Sequence, residues 1–109
     1  SGVASAVGQL RPDVRVVGVE TLGADCVSQS LARGELVTLP TFGSVAESLG
    51  TRRSSARPFA IIRAGVERVV TVPDARAVGE LGYLLDREKL LVEPAASCTL
   101  AALADGLVP

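Results

Sequence analysis

The chain has 109 residues, room for one compact domain or for part of a larger one. Its 11 basic and 12 acidic residues leave a net charge of −1, so no basic field draws in nucleic acid or an anionic membrane. Apolar residues make up 48 % and mean hydropathy is +0.39. A small free-standing domain exposes much of itself to water, so this surplus implies apolar surface covered from outside the chain.

The uninterrupted apolar runs are only a few residues long, too short for a membrane span. The opening SGVASAVGQL lacks the charged head and long apolar core of a signal peptide. Cys26 and Cys98 lie far apart and form no zinc-type spacing; two reduced thiols in a cytoplasmic protein are the expectation. The absence of histidine excludes Ser–His and Cys–His nucleophilic catalysis within the chain. The single lysine, Lys89, would have to carry any Schiff-base chemistry here.

In chain order, Val3, Ala6, Val7 and Leu10 fall at i, i+3, i+4 and i+7, a helical stripe over Gly2–Leu10. Nothing caps its start, so the sequence is expected to begin inside an element. Arg11-Pro12-Asp13 ends it. The apolar, β-branched run Val14–Glu20 predicts a strand buried on both faces, as in a parallel sheet. Glu20 closes that strand, and the carboxyl end of a strand is where open α/β sheets hold ligands. The plainer role for Glu20 is to cap the helix that follows.

That helix is predicted over Ala24–Arg33, with Val27, Ser30 and Leu31 inward and Gly34 as its left-handed stop. Glu35–Leu39 reads as a short strand. Ser44–Leu49 reads as one or two helical turns with Ser44 and Glu47 at capping-box spacing. Thr51–Arg57 reads as a loop of solvated charge, Arg52, Arg53 and Arg57 included. Pro58 suits a helix's first turn, with Phe59, Ile62 and Val66 at helical spacing. A second strand follows at Val69–Val72. Then comes a long helix from Pro73-Asp74, with Val78, Leu81, Leu84 and Leu85 inward and Lys89 as a solvated cation at its exit. Leu90–Val92 reads as a short strand, and Ala95–Ala104 as a last small-residue helix closed by Asp105-Gly106. This alternation predicts an α/β layered sheet with flanking helices.

The segments VVGVETLGADC (16–26), GELVTLP (34–40), SVAESLG (44–50), VVTVPDA (69–75) and EKLLVEPAASCTLAAL (88–103) together resemble the pyridoxal-phosphate-dependent serine/threonine dehydratases, or ammonia-lyases, of fold type II. Within that family they are most similar to L-serine dehydratase. The resemblance runs through essentially the whole chain in order. It implies that residues 1–109 form one partial domain, a segment of the large, cofactor-binding domain. The part bearing the cofactor's lysine, the glycine-rich phosphate loop and a C-terminal strand would lie outside it. No catalytic residue would then come from this chain, and Lys89 matches a non-catalytic position.

The resemblance further implies that Ser48, Leu49 and Gly50 pass one face of the cofactor ring and that Glu93 lies near the pyridine nitrogen side. For Glu93 the plainer role is again a helix-capping carboxylate. A cation such as K⁺ or Mg²⁺ would be held by the Glu20 carboxylate and the backbone carbonyls of Ala24, Leu49 and Thr51. Cys26 stands where relatives carry Ser or Asp. A thiol suits a hard ion poorly, so its share would come through backbone or water. The implied activity is loss of water and ammonia from L-serine or L-threonine to give a 2-oxo acid, in an enzyme that is commonly a homodimer. The alternatives are another lyase or racemase of the same fold type and a non-catalytic α/β module that buries its apolar surface on a partner. A free-standing module would be expected to carry a start methionine and its own caps.

Overall fold

The computed structural model describes residues 1–108. Strands β1 (Val17–Thr21) and β2 (Arg68–Val72) pair in parallel, Val17 opposite Arg68 and Thr21 opposite Val72. Parallel strands need a long crossover. Here it comprises helix α2 (Cys26–Arg33), an irregular stretch with one 3-10 turn (Glu47–Leu49), and helix α3 (Ala56–Gly65). Helix α1 (Gly2–Leu10) precedes β1. Helix α4 (Asp74–Tyr83) follows β2 and continues into a π-helical segment (Leu84–Glu88), and α5 (Pro94–Ala104) closes the fold.

The core lies where α4 and α5 meet the sheet. Val72, Ala77, Cys98, Ala101 and Ala102 are fully buried, with Val19, Val70 and Leu49 packed against them. Small side chains on both helices permit this close approach, and the buried Ser97 hydroxyl donates across it to the Ala77 carbonyl at 2.7 Å. At the rim, the Arg76 guanidinium donates to Asp105 and Glu80. Those two partners raise the arginine's pKa, and the same hydrogen bond lowers that of Asp105. α1 packs against α3. An apolar recess of about 340 Å³ remains between these helices and the strands, lined by Ala4, Gly18, Ile62 and Val69 among others.

Several sequence expectations need correction. β1 begins at Val17, because the Val14 amide is taken by the Arg11 carbonyl in the preceding turn and its side chain is exposed. Glu35–Leu39 forms no strand. It makes one backbone bond toward the other loop arm, Leu39 to the Arg52 carbonyl, and no continuous ladder. Leu90–Val92 is likewise irregular, the Leu90 amide closing the π segment on the Leu84 carbonyl. On α4 the buried position is Ala77, while Val78 and, beyond the helix, Leu85 point to solvent. On α1 the buried position is Ala4, with Val3 and Leu10 exposed. Lys89, by contrast, is exposed at the helix exit as expected; it adopts the left-handed conformation (φ 58°) and its ammonium donates to the Asp86 carbonyl.

Candidate functional site

The carboxyl ends of β1 and β2 carry the polar groups singled out above. β1 delivers Glu20 and Thr21, both buried. Glu20 accepts from the amides of Val27 (3.1 Å) and Ser28 (2.8 Å), capping the first turn of α2. Burial drives its pKa up; the two amides pull it down, and the charge of Asp25 adds a further upward push. No basic side chain pairs with Glu20 among the described residues. Each of its oxygens retains accepting capacity beyond the one amide it holds.

The turn after β1 depends on Gly23. Its φ is +87°, and a Cβ there would stand 2.3 Å from the Gly43 carbonyl oxygen. Ala24 and Cys26 are buried just beyond it. The Cys26 carbonyl accepts the Ser30 hydroxyl at 2.5 Å. Burial, followed by the Glu20 charge, raises the Cys26 thiol's pKa, with the Ser54 amide opposing. Cys26 therefore presents a neutral thiol at ordinary pH, a poor partner for a hard ion.

The 43–53 loop faces this end of the sheet. The Gly43 amide donates to the Gly23 carbonyl at 3.1 Å. Ser44 makes no capping box with Glu47. Its hydroxyl donates to Asp74 Oδ1 at 2.6 Å and accepts the Ala46 amide at 3.0 Å. Ala46 is fully buried and Leu49 reaches the core cluster, so the loop is anchored by these two apolar side chains. Between and beyond them Ser48, Gly50 and Thr51 remain exposed. The Leu49 carbonyl accepts the Thr51 amide at 2.7 Å. A Cβ on Gly50 would stand 2.3 Å from the Glu47 carbonyl oxygen, so this turn presents bare backbone.

Arg52 and Arg53 are not simply solvated. Arg52 Nε donates to the Leu39 carbonyl at 2.8 Å, and Arg53 Nη1 donates to the Leu36 carbonyl and to Thr38. Both arginines thus tie the second arm of the loop to the 36–39 segment.

Glu20, Ala24, Cys26, Leu49 and Thr51 therefore fall on β1, the turn after it, the first residue of α2 and the facing loop. Ser48, Leu49 and Gly50 lie on one turn of that loop. Glu93 stands apart, exposed at the N-cap of α5 with Pro94 at its first position. Its backbone carbonyl accepts the Ala96 and Ser97 amides. The residue that sequence reasoning missed is Asp74. An acidic residue after Pro73 reads as a helix-dipole carboxylate, yet both its oxygens serve the loop: Oδ1 takes Ser44 and Oδ2 the Val45 amide at 2.8 Å. Among the described residues no three His, Cys, Asp or Glu side chains cluster as metal ligands. A cation here would rest on Glu20 and backbone oxygen, and a buried carboxylate without a basic partner fits such an ion.

The sequence matches the family described as "Pyridoxal-phosphate dependent enzyme" over residues 1–108. It is 37 % identical over 103 residues to the L-threonine ammonia-lyase of Geobacter sulfurreducens, covering 94 % of this chain and 26 % of that protein. It is 40 % identical over 95 residues to the human serine dehydratase-like protein, covering 87 % of this chain and 29 % of that one. In structure it resembles the maize serine racemase, with a TM-score of 0.88 at 32 % identity over 93 % of this chain and 31 % of that one. It also resembles the L-serine ammonia-lyase of the fungus Rhizomucor miehei, with a TM-score of 0.85 at 28 % identity over 97 % of this chain and 34 % of that one. The chain spans little more than a quarter of the length of the two curated relatives. The α/β order, the parallel strand pair and a match running the length of the described chain agree: this chain belongs to the pyridoxal-phosphate-dependent enzyme family.

Proposed function

We propose that this chain is a segment of the cofactor-binding domain of an L-serine/L-threonine ammonia-lyase, which eliminates water and ammonia from a hydroxy amino acid to give pyruvate or 2-oxobutanoate. The observation that carries the reading is the convergence, at the carboxyl ends of two parallel strands, of a buried carboxylate without a basic partner and a loop presenting bare backbone at Gly50. The names of the relatives supply the substrate class.

Residues 1–109 are read as one partial domain of fold type II. The lysine that holds the cofactor and a C-terminal strand are assigned to the rest of the parent polypeptide. Bound pyridoxal phosphate supplies an electron sink for bond breaking at Cα. This chain's share is positioning. Ser48 and Gly50 offer a hydroxyl and side-chain-free backbone to one ring face, while Leu49, anchored in the core, fixes their depth. Glu93 is assigned to the ring-nitrogen side. Glu20 and the carbonyls of Ala24, Leu49 and Thr51 would hold a hard cation, K⁺ or Mg²⁺, which offsets the buried charge of Glu20. Cys26, whose carbonyl already accepts the Ser30 hydroxyl, contributes through its backbone or through water. The parent enzyme is read as a cytoplasmic homodimer with a small-molecule substrate and no nucleic-acid or membrane partner. Among the described residues no helix is long and apolar enough to cross a membrane.

The test is borohydride reduction of the full-length parent with pyridoxal phosphate, followed by intact mass and an assay for 2-oxo acid. One reduced cofactor per chain and pyruvate from L-serine are expected. An adduct with D-serine as product and no pyruvate would assign a racemase. No adduct at all would leave the interaction-module alternative. Residues 1–109 alone should release no pyruvate.

A further inference from the structure

Asp74 is anomalous for its position. It stands in the first turn of α4, where a carboxylate ordinarily caps its own helix, yet no side-chain cap forms there. Both its oxygens are committed 29 and 30 residues back in sequence, to the Val45 amide and the Ser44 hydroxyl. The proton count then sets a direction. The single Ser44 proton goes to Asp74, so the contact of 2.7 Å between Thr21 Oγ1 and Ser44 Oγ must carry the threonine's proton. A relay runs from the buried end of β1, through the loop, to the start of the helix after β2. Each donor polarises the next.

We infer that Asp74, acting through Ser44, is a positioning residue that latches the 43–51 loop against the carboxyl ends of both strands and so sets where Ser48 and Gly50 stand. The inference rests on the proposed cofactor-facing role of that turn. The latch lies just before the buried Ala46, whose carbonyl accepts the Leu49 amide at 2.9 Å. Its register therefore passes to the turn through two contiguous bonded steps. The other arm is held separately, by Arg52 on Leu39. Releasing Asp74 leaves this end of the loop with the Gly43–Gly23 bond, the Thr21 contact and the buried Ala46 but without its charged anchor, while the other end stays tied.

The experiment compares D74N, S44A and S44T in the full-length parent polypeptide, with and without pyridoxal phosphate. Asparagine keeps one acceptor oxygen and turns an NH₂ toward the other donor. Amide hydrogen exchange at 46–50 should rise about tenfold in D74N and S44A, the effect of one lost hydrogen bond to a charged group, while exchange in β1 and β2 stays unchanged. With cofactor bound, kcat should fall while KM changes little, and the cofactor's absorption band should shift. S44T keeps the hydroxyl and should restore each readout. Unchanged exchange at 46–50, or a rise equal to that in the strands, overturns the latch. Faster exchange with kcat and the absorption band unmoved overturns the positioning role. A parent that takes up no pyridoxal phosphate overturns the functional reading, and the positioning role with it, while exchange in the cofactor-free chain still reads the latch separately.

Discussion

Two regions of the molecule are held with different shares of apolar packing and polar bonding. Where α4 and α5 close on the sheet, the contacts are apolar and small: Ala77, Cys98, Ala101 and Ala102 under Val72, with one buried hydroxyl bond between the helices. The 36–53 segment has almost no regular structure, yet it is tied at closely spaced points by Gly23, Asp74, Arg52 and Arg53. The first region is stable through shape; the second adds named polar bonds to the burial of Val37, Leu39 and Ala46 and the packing of Leu49 on the core. A site built on the second can be tuned one bond at a time without loosening the first. If that contrast is correct, core changes should act on the whole molecule and loop changes should stay local.

The largest effect is expected where the two regions touch. Gly23→Val places a β-branched side chain at φ +87°, with its Cβ in contact range of the Gly43 backbone. Left-handed strain and the clash together should cost about 3 kcal/mol or more. Urea unfolding of the variant against the unsubstituted protein would read it, and a loss under about 1 kcal/mol would mean that the turn rearranges easily. Next is Ala101→Leu, which forces extra methylenes into a fully buried position between helix and sheet. It should lose about 1–3 kcal/mol and raise amide exchange in the strands and α5 together. Exchange confined to α5 would show that the core is not one cooperative unit.

These two positions also show how legible the chain was. Helices closed by a turn signal were readable, as with α2 and Gly34, whose φ is +75°. The strand-end carboxylate of Glu20 was readable as a helix cap, since the following helix had to begin within a few residues. Glu35–Leu39 and Leu90–Val92 were misread because β propensity describes a side chain's fit to a sheet and not the presence of a neighbour to pair with. The inward faces of α1 and α4 were misread because hydropathy gives most weight to large residues. The close approach of helices selects small ones instead, Ala4 and Ala77. The Ser44–Asp74 bond joins residues 30 apart, and no local pattern marks it.

Glu20 sharpens the comparison further, because it is a polar bond placed in the rigid half. Glu20→Ala leaves the Val27 and Ser28 amides without their acceptor and should lose about 1–3 kcal/mol. Its pH signature has a definite sign. The folded pKa is raised above the ordinary 4.5, so the folded state binds the proton more tightly than the unfolded one. The contribution of Glu20 therefore favours folding most below 4.5 and is lost as pH rises through the raised folded value. Subtracting the stability–pH curve of Glu20→Gln from that of the parent isolates this limb. Saturating K⁺ bound at the carboxylate would lower the folded pKa and flatten or reverse the limb. A limb unaffected by both K⁺ and Mg²⁺ would count against the proposed cation.

The smallest effect is expected at Arg52. Its guanidinium holds the Leu39 carbonyl at 2.8 Å, and the Leu39 amide returns the bond to the Arg52 carbonyl at 2.7 Å. Truncation to Ala removes only the side-chain half of that pair. The arginine is exposed and water can replace it, so the loss should be about 0.5 kcal/mol or less. Amide exchange at Leu39 should rise while that of Ala101 and Val72 stays as it was. Because this change is energetically minor, it is the stricter test of locality: a residue that barely affects global unfolding yet selectively loosens 36–53 shows that the loop opens independently of the core. Equal acceleration in both regions would mean that the loop ties are part of one cooperative structure and that the two regions are not held in separate ways.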